Sequence, residues 1–402
     1  MKNDDKRTVT PRLRFPEFLG DTLREVQLKD VTAESTTRNG ETLPSTSVMG
    51  VTKTEGIVPM EERIIALDIA RYKLVQKDWF AYNPMRLNIG SIARWQGESD
   101  ILVSPDYVVF KCLNEVGSGI DPVFLDHFRR SDAWGDFVTQ GGDGSVRVRI
   151  YYKDIGRLPL TLPSLAEQQK IADCLTSLDE LIAAQGRKVE ALKAHKKGLL
   201  QQVFPREGET LPRLRFPEFR DAPEWKLELL SRVATNLDNM RVPITEKDRI
   251  RGDIPYYGAS GVVDYVKDHI FDEDLLCVSE DGANLVARTY PIAFPISGKT
   301  WVNNHAHVLR FDDMATQKIV EAHLNATDLR DFITGMAQPK LNRAMLDRIP
   351  IPLPELKEQH RIADCLSTLD ALIAAETERL AALKTHKQGL MQQLFPSPEG
   401  LA

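Results

Sequence analysis

The sequence predicts an α+β protein in which two mixed α/β domains are joined by two long antiparallel coiled-coil helices, with a pseudo-two-fold internal repeat. Three observations support this prediction. A seven-residue motif occurs twice, a long heptad-patterned segment occurs twice, and the regions between these repeats do not resemble each other. The length of 402 residues is sufficient for two or three domains of ordinary size.

The duplication is the strongest signal. The motif RLRFPEF occupies residues 12–18 and again residues 213–219. Residues 163–205 align without gaps to residues 354–396, and 26 of the 43 aligned positions are identical. The inserts, at about 19–157 and 220–348, show no match. Similar frames around dissimilar inserts indicate one architecture with two specificities, because a duplicated structural domain would have diverged more evenly along its length.

Each long repeat has the pattern of a helix that pairs with a partner helix. Apolar residues alternate in steps of four and three, which is a heptad seam. Ser164 and Glu167 form a capping box before the first helix, and Pro205 and Pro396 terminate the two helices. The span 171–203 corresponds to ~48 Å of helix. The predicted seam comprises Ile171, Leu175, Leu178, Ile182, Val189, Leu192, Leu199 and Val203 in the first copy, and Ile362, Leu366, Leu369, Ile373, Leu380, Leu383, Leu390 and Leu394 in the second.

Polar residues interrupt the seam at matching places in both copies, at Gln185 and Lys196 and at Glu376 and Lys387. Two explanations stay open. Polar seam residues can fix the register of an antiparallel helix pair, or the lysines can simply extend to solvent at the edge of the seam. Each repeat also contains a glycine, Gly198 or Gly389, which costs ~1 kcal/mol relative to Ala inside a helix. A close helix crossing would explain these glycines.

The repeats divide the chain into four segments. They are an N-terminal anchor with the first domain at 1–157, a central spacer helix at 158–206, a second anchor and domain at 207–348, and a C-terminal spacer helix at 349–402. Residues 104–112 and 145–152 are predicted as strands of the first domain. The proline-rich lead-ins at 159–163 and 350–354 predict an extended backbone before each helix.

Polar loops of the two inserts supply the candidate binding residues. Arg, Lys, Asn and Ser side chains on such loops suit hydrogen bonds to base edges and phosphates, although these residue types are also ordinary turn formers. The candidates in the first insert are Arg86, Asn88, Ser91, Arg94, Arg147, Arg149 and Tyr151, and those in the second are Ser260, Asn284, Arg288, Lys299, Asn303, Asn304, Lys340 and Asn342.

The charge balance restricts a DNA-binding interpretation. The chain has a net charge of −6, and neither insert is basic. Residues 19–157 contain 17 Lys and Arg against 20 Asp and Glu, and residues 220–349 contain 16 against 20. Phosphate binding usually leaves a basic footprint. Binding to DNA would therefore require a local basic face or a contribution from partner subunits.

Cysteine usage and hydropathy indicate a cytoplasmic protein. The four cysteines are far apart with no C-x-x-C pair, which argues against a zinc site and suits a reducing compartment. Residues 1–10 are charged and lack the apolar segment of a signal peptide. No apolar run approaches the roughly 18–20 residues that span a bilayer, so no membrane association is expected.

Partial matches to catalytic motifs do not hold. Residues 293–300, AFPISGKT, fit a loose phosphate-loop pattern, but bulky residues fill the loop and no helix start follows. Asp347 with Glu355 weakly matches a nuclease pattern that is absent from the other repeat. His305 and His307 lack a third metal ligand nearby in the sequence. The sequence therefore predicts neither catalytic residues nor a metal site in this chain.

The chain resembles the specificity (S) subunit of type I restriction-modification systems. The resemblance rests on the RFPEF openings, the PLP-like lead-ins followed by E-Q and I-A-D-C-L, and the heptad repeats that end in Q-Q-x-F-P. The stretches IPYYGASG and GANL…SGKTWVNNHAHVL add to it. It covers essentially the whole chain. The frame is fairly specific to this family, whereas the inserts vary within it, so the DNA sequence recognised cannot be carried over.

This resemblance implies that each insert is a target-recognition domain for one half of a bipartite, asymmetric site in double-stranded DNA, and that the helix pair sets the spacer. It also implies two modification subunits, which supply S-adenosylmethionine-dependent adenine methylation, and restriction subunits, which use ATP and Mg. The chain itself is then a non-catalytic subunit without a cofactor. Two rival functions are a stand-alone nucleotide-using or nuclease enzyme and a coiled-coil scaffold without DNA binding.

Overall fold

The computed structural model of the chain describes residues 11–61, 68–113, 119–140, 149–206, 208–335 and 338–395. Contacts group the chain into two units. Unit 1 comprises residues 1–185 together with 379–402, and unit 2 comprises residues 186–378. This grouping divides each long helix between the units, whereas the four segments expected from the sequence keep each helix whole. Those segment boundaries stay a prediction.

The described residues form ten helices and twenty strands. The helices are α1 (Leu28–Val31), α2 (Pro122–Phe128), α3 (Asp132–Gln140), α4 (Tyr152–Ile155), α5 (Leu165–Val203), α6 (Leu230–Val233), α7 (Asn284–Ala287), α8 (Met314–Ala326), α9 (Arg343–Leu346) and α10 (Leu356–Leu394). The strands of the first insert and its lead-in are β1 (Arg24–Gln27), β2 (Thr32–Ser35), β3 (Met49–Thr52), β4 (Gly56–Pro59), β5 (Lys73–Val75), β6 (Phe80–Tyr82), β7 (Ile92–Arg94), β8 (Ile101–Val103), β9 (Val108–Cys112) and β10 (Pro159–Leu162). Those of the second are β11 (Lys226–Leu229), β12 (Thr235–Asn236), β13 (Arg251–Gly258), β14 (Gly261–Val266), β15 (Phe271–Asp272), β16 (Leu275–Ser279), β17 (Ala293–Ile296), β18 (Lys299–Val302), β19 (Ala306–Arg310) and β20 (Pro350–Leu353).

The core of unit 1 is a four-stranded antiparallel sheet with the order β2–β9–β6–β7. Its buried face packs against α2, and the rings of Phe80 and Phe110 stack with their centroids 5.0 Å apart. The hairpin β3–β4 and the pair β5–β8 lie beside this sheet, linked by a parallel bridge between Val48 and Leu102. The strands are short and mostly apolar on the buried face, as half-buried strands require.

Unit 2 repeats this topology with an unrelated sequence. Its main sheet is antiparallel in the order β12–β19–β16–β17, and its second sheet has the order β14–β13–β18–β15 with β13 and β18 parallel. In each unit the first strand of the main sheet along the chain, β2 or β12, pairs with its last strand, β9 or β19. The hairpin β13–β14 takes the place of β3–β4. Two inserts without detectable sequence similarity thus share one fold, which is consistent with the interpretation of one architecture carrying two specificities.

Two of the local strand predictions need correction. Only Val108–Cys112 of the predicted strand 104–112 is extended in the sheet, because Ser104 accepts a hydrogen bond from the Tyr107 amide and forms a turn. In the predicted strand 145–152, residues 145–148 lie outside the described residues, and Tyr152 begins α4 instead of ending a strand. The proline-rich lead-ins are extended as predicted, and form β10 and β20.

The two long helices confirm the heptad prediction. Each contains 39 residues, and each ends two residues before the predicted stop proline. All predicted seam positions are buried or half-buried, while most residues between them are exposed. In unit 1, Ile171 and Leu175 share a core with Leu394. In unit 2, Val203 shares a core with Ile362 and Leu366. The start of one helix meets the end of the other in each unit, so the pairing is antiparallel.

The polar seam residues form ion pairs across the helix pair. Lys387 bonds Asp179 in unit 1, and its counterpart Lys196 bonds Asp370 in unit 2. In unit 2, Glu376 also pairs with Lys188. The seam lysines are 13% and 27% exposed, so they do not simply extend into solvent. Because a shifted register would separate these charges, the pairs favour the register-fixing explanation over the alternative.

The seam glycines do not mark a close crossing. A Cβ atom built at Gly198 or Gly389 would meet no atom within 4 Å outside the helix backbone itself. The expectation of a close helix contact there is therefore wrong, and nothing in the described structure requires glycine at either position.

Each repeated RLRFPEF motif is fixed to the start of a long helix by a buried ion pair. In unit 1, Nε of Arg14 donates to Oε1 of Glu167 at 3.0 Å, and a second nitrogen donates to Oε2. In unit 2, Arg215 makes the same two-point contact with Glu358 at 2.8 and 2.7 Å. Both glutamates are 1% exposed. Bidentate arginine–carboxylate geometry is strong and directional, which explains why the motif and the helix start recur together.

The glutamine that follows each glutamate attaches the insert to the same helix. The Gln168 side chain accepts a hydrogen bond from the Asp121 amide at the start of α2, and it donates one to the Pro163 carbonyl. The side chain of its counterpart, Gln359, accepts from the Thr316 hydroxyl in α8. The repeated E-Q dipeptide thus has a structural role in both units.

Among the described residues, no helix is long and apolar enough to cross a bilayer.

Candidate nucleic-acid interface

Exposed polar residues of unit 1 collect where β6 leads into β7. Asn83 begins this loop with its side chain accepting the Met85 amide, a short helical turn follows at 87–89, and Gly90 reverses the chain with a φ of +91°. A residue with a side chain would be strained at that angle. The turn leaves Arg86 and Asn88 exposed while Leu87 is buried beneath them. A polar loop is thereby held on a rigid sheet.

Two further segments join this loop. The Ile150 amide donates to the Pro84 carbonyl at 3.0 Å, which brings exposed Arg149 and Tyr151 beside the loop. A Cβ atom at Gly90 would lie 3.5 Å from the Lys53 side chain, so the turn between β3 and β4 lies there too. We define the loop edge of unit 1 as residues 52–55, 83–91 and 149–151. Sequence reasoning missed Lys53, although the TKTEG turn between two apolar runs was a visible signal.

The loop edge of unit 1 provides a local basic face. The side chains of Lys53, Arg86 and Arg149 are exposed, and none of them pairs with an acidic residue within the described part of the chain. Donors of this type bind phosphate oxygens and the acceptor edges of guanine. The negative net charge of the chain meant that binding to DNA would require a local basic face, and these three cations provide one. Arg147 lies outside the described residues.

Two candidates of the first insert have structural roles. Ser91 is 3% exposed and its hydroxyl donates to the Val51 carbonyl at 2.8 Å. Its hydroxyl therefore has a structural partner within the loop, and contact of Ser91 with DNA stays a prediction. Arg94 is 12% exposed and paired with Asp78. Contact of Arg94 with DNA stays a prediction, but its loss would first remove a partly buried ion pair.

Unit 2 brings together the equivalent loops. The Leu341 amide donates to the Glu280 carbonyl at 2.8 Å, which matches the bond between Ile150 and Pro84. The Gly282 amide donates to Pro339, and the Glu280 amide donates to His305. The Asn303 amide donates to Tyr257 at the end of β13. We define the loop edge of unit 2 as residues 259–261, 280–282, 303–305 and 339–342.

Four exposed polar residues lie on the loop edge of unit 2, and three of them were candidates: Ser260, Asn304, His305 and Lys340. Their charges are balanced. Lys340 pairs with Glu280 at 3.1 Å, and His305 pairs with Asp281 at 2.8 Å. Sequence reasoning weighed His305 only as a metal ligand and so missed it as an edge residue. The equivalence of Lys340 with Arg149 places one cation in the same position in each unit.

The remaining candidates of the second insert are engaged or lie elsewhere. Arg288 donates to three backbone carbonyls, those of Leu285, Leu324 and Thr327. Asn284 is 8% exposed and its side chain bonds the 289–290 backbone. These contacts stabilise the fold, and DNA contact by these residues stays a prediction.

Three further candidates differ in position. Asn303 is 7% exposed and its side chain accepts the His305 amide, which shapes the turn. Asn342 caps α9 by accepting the Met345 amide. Lys299 is exposed but faces Asp272 at the start of β18, the opposite end of that strand from Asn304. The structure therefore does not bring Lys299 to the loop edge of unit 2.

A buried polar cluster lies beneath the loop edge of unit 2. His307 Nε2 donates to the Leu341 carbonyl at 2.7 Å, and its Nδ1 lies 2.6 Å from Asp238. Arg241 bridges Glu280 and Asp238. Burial alone would raise the pKa of Asp238, but the bond from His307 and the nearby cations lower it below its usual value. His307, Asp238 and Glu280 could surround an ion, yet Arg241 already supplies the positive charge there. The cluster is best explained as support for the loop edge.

The segment AFPISGKT forms two strands of different sheets. Residues 293–296 belong to β17 of the main sheet and residues 299–302 to β18 of the second sheet, with Gly298 at a φ of +66° between them. A phosphate loop requires a helix after the lysine, and a strand follows here instead.

Comparison with known proteins points to one family. Residues 224–385 match the family model of the type I restriction modification DNA specificity domain. The second insert and its long helix therefore contain a DNA specificity domain of the type I restriction-modification family. The matched range covers most of the second insert and of its long helix, and the internal repeat extends the same frame to the first insert.

Individual relatives cover different shares of this chain. It is 35% identical over 149 residues to a putative type I restriction enzyme specificity subunit of Haemophilus influenzae, an alignment that spans 37% of this chain and 38% of that protein. It is 23% identical over 347 residues to a putative specificity subunit of Methanocaldococcus jannaschii, with coverage of 82% and 80%. The fold resembles the crystal structure of a type I S subunit from M. genitalium with a TM-score of 0.62, 12% identity and coverage of 97% and 100%.

Proposed function

We propose that this chain is the DNA-sequence-specificity subunit of a type I restriction-modification enzyme, and that each unit reads one half of a bipartite, asymmetric site in double-stranded DNA. One observation supports this most directly. Two inserts without sequence similarity adopt one topology and present different exposed side chains at equivalent loop edges. Selection for two different sequences on one architecture would produce this pattern, whereas a scaffold without DNA binding would not require it.

The chemistry of the edges suits base reading. Arg86 and Arg149 can donate in pairs to guanine, and Asn88 and Asn304 can both donate to and accept from adenine. Lys53 and Ser260 suit phosphate contacts, which orient a protein on the duplex without reading its sequence. All these side chains extend from loops that are fixed by backbone hydrogen bonds to a sheet, and rigid support favours precise recognition.

The partners follow from the same proposal. Two modification subunits would bind this chain and bring S-adenosylmethionine and the methylating site, and restriction subunits would bring ATP, Mg and the nuclease. The chain itself would contribute specificity and no catalysis. The helix pair would set the length of the spacer between the half-sites. The net charge of −6 supports a division of labour in which partner subunits supply part of the phosphate contacts.

An insert exchange tests this function. Residues of about 19–155 are replaced by the corresponding insert of another family member, and the exchanged chain is expressed with its modification subunits. Sequencing of methylated adenines in the host DNA is expected to show a change in one half-site and no change in the other. The parent chain is the control. A change in both half-sites, or methylation without any defined motif, would contradict the assignment of one half-site to each unit.

A further inference from the structure

A cleft of about 670 Å³ in unit 2 lies apart from the loop edge and has no role in the function described so far. It is lined by the end of α5, by the segment that follows α5 and by the end of α8. The polar residues that line it include Arg206, Arg213, Gln202 and Thr327, and the floor includes Phe204. Phe204 is 7% exposed, so the base of the cleft is firmly packed.

The lining of this cleft is chemically one-sided. The described lining residues include two arginines and side-chain amide and hydroxyl groups, and no aspartate or glutamate is among them. The chain as a whole has 58 acidic against 52 basic residues, so the described lining is more basic than the composition of the chain. The side chains of Arg206 and Arg213 are exposed and make no ion pair or hydrogen bond with any residue that the structure describes. Two unpaired guanidinium groups in one concave site attract an anion.

The site is held by backbone contacts. The Leu214 amide donates to the Gln202 carbonyl at 2.9 Å, which fixes the segment after Arg213 against the end of α5. The Arg288 side chain donates to the Thr327 carbonyl and fixes the opposite wall. Burial lowers the pKa of His323, which also lines the cleft, to about 4. His323 is therefore neutral near pH 7, and the positive charge of the cleft comes from the arginines.

One of the two arginines has no counterpart in the other repeat. The position that matches Arg206 in the second long repeat is Ser397, whereas Arg213 matches Arg12 of the first RLRFPEF motif. A residue required only by the common frame would be expected in both copies, as Arg14 and Arg215 are. Arg206 instead breaks the pseudo-symmetry of the chain, as a residue of a binding site used once would do.

We propose that this cleft binds phosphate groups, through Arg206 and Arg213 as donors with support from Gln202 and Thr327. The inference rests on the proposed function for its favoured source of phosphate, the backbone of DNA. The contact would be independent of sequence, because a phosphate carries no base identity. A free phosphate-containing anion is the other source, and the two are separable by experiment.

The test uses the full chain and a double variant, Arg206→Gln with Arg213→Gln. Affinity for a short random-sequence duplex is measured by fluorescence anisotropy at about 50 to 200 mM salt, with and without modification subunits. Each lost phosphate contact reduces the slope of log affinity against log salt by about 0.9. The slope is therefore expected to become about 1.8 less steep, and the loss of affinity across this range to shrink roughly tenfold.

Two control variants isolate the cleft. Arg220→Gln removes an exposed arginine of unit 2 that does not line the cleft, and it should leave the slope unchanged. The pair Arg206→Lys and Arg213→Lys keeps the charge and should keep most of the slope. If Arg220→Gln has the same effect as the cleft variant, only bulk charge is involved and the proposal is wrong.

A second arm measures binding of inorganic phosphate and pyrophosphate by calorimetry. Loss of this binding in the cleft variant, with an unchanged DNA slope, would identify a free anion as the ligand. If the wild-type chain binds duplex DNA and the cleft variant matches it in both arms, the cleft is not a phosphate site and the proposed function stands. If the wild-type chain binds no duplex even with its modification subunits, the proposed function fails, and the calorimetric arm alone decides the fate of the cleft.

Discussion

The two units place different chemistry on matching frames. On the loop edge of unit 1, Lys53, Arg86 and Arg149 have no acidic partner among the described residues. On the loop edge of unit 2, Lys340 and His305 are each paired with a carboxylate. Beneath both edges the strand order of the main sheet is the same. The difference shows that the loops can change charge without disturbing the fold, because the residues that fix the fold lie elsewhere.

Those fixing residues are the repeated ones. Arg14 with Glu167, and Arg215 with Glu358, hold each anchor motif on the start of a long helix. Asp179 and Asp370 receive a lysine across the helix seam, and each also faces a cation from the insert, Arg130 at 3.6 Å in unit 1 and Lys318 at 2.8 Å in unit 2. The two long helices carry an aspartate at the same position of the repeat, and the unrelated inserts pair that aspartate with different cations.

The largest effect is expected from breaking the buried anchor pair. Arg14→Ala leaves Glu167 buried and unpaired, and Arg215→Ala does the same to Glu358. Removing one partner of a buried ion pair costs about 3–5 kcal/mol. Hydrogen exchange should show a loss of protection confined to the unit that carries the change. Arg14→Ala combined with Glu167→Gln should recover part of the loss. Equal effects of Arg14→Ala on both units would show that the units do not unfold separately.

Acid sensitivity compares one buried histidine in each unit. Burial, assisted by the nearby charges of Lys387 and Arg130, lowers the pKa of His127 to about 4, and burial lowers that of His323 to about 4. The unfolded chain therefore binds these protons more readily, and stability is lost as the pH falls from about 6.5 towards 4. Within that window, each histidine is expected to lower the free energy of unfolding by up to ~1.4 kcal/mol for each pH unit of acidification.

Denaturant unfolding at a series of pH values checks this expectation. His127→Gln should flatten the acid side of the profile for unit 1, and His323→Gln that for unit 2. The exposed His386→Gln serves as the control and should leave the profile unchanged. If all three variants keep the same dependence of stability on pH as the parent chain, other groups govern acid unfolding.

The shared carboxylates should give a smaller effect. Asp370→Asn deprives Lys196 and Lys318 of a partner, and Asp179→Asn deprives Lys387. These groups are partly exposed, so solvent weakens the pairs and a loss of about 1 kcal/mol or less is expected. Thermal unfolding at low and high salt measures it, and high salt should reduce the difference. Asp364→Asn is the matched control, because Asp364 is exposed and forms no ion pair with the residues that the structure describes. A loss that is insensitive to salt would argue against the ionic explanation.

The smallest expected effect is a gain in stability. Gly389→Ala adds a methyl group that meets no atom within 4 Å outside its own helix backbone, and Ala favours a helix over Gly by up to about 1 kcal/mol. A modest rise in the melting temperature is expected. A fall would reveal a requirement for glycine that the helix pair does not show.

Local sequence signals are sufficient to predict the long helices and the repeated frame. Heptad spacing, capping residues and stop prolines are local signals, so the extents of α5 and α10 and their seams from Ile171 and Ile362 onward could be predicted. The repeat also revealed two inserts of similar role. Candidate binding loops were found because turn residues mark them, and the loops around Arg86 and Lys340 proved to occupy equivalent places.

Which residues of those loops remain available for a ligand depends on the folded structure. Ser91 and Arg94 lie in one stretch of sequence with Arg86, yet Ser91 is buried against Val51 and Arg94 is paired with Asp78. Burial and pairing depend on strands that are distant in the sequence, and no local pattern encodes them. The bond between Arg14 and Glu167 joins residues 153 positions apart. The sequence contained both residues twice, but only folding placed a guanidinium on a carboxylate where water cannot separate them.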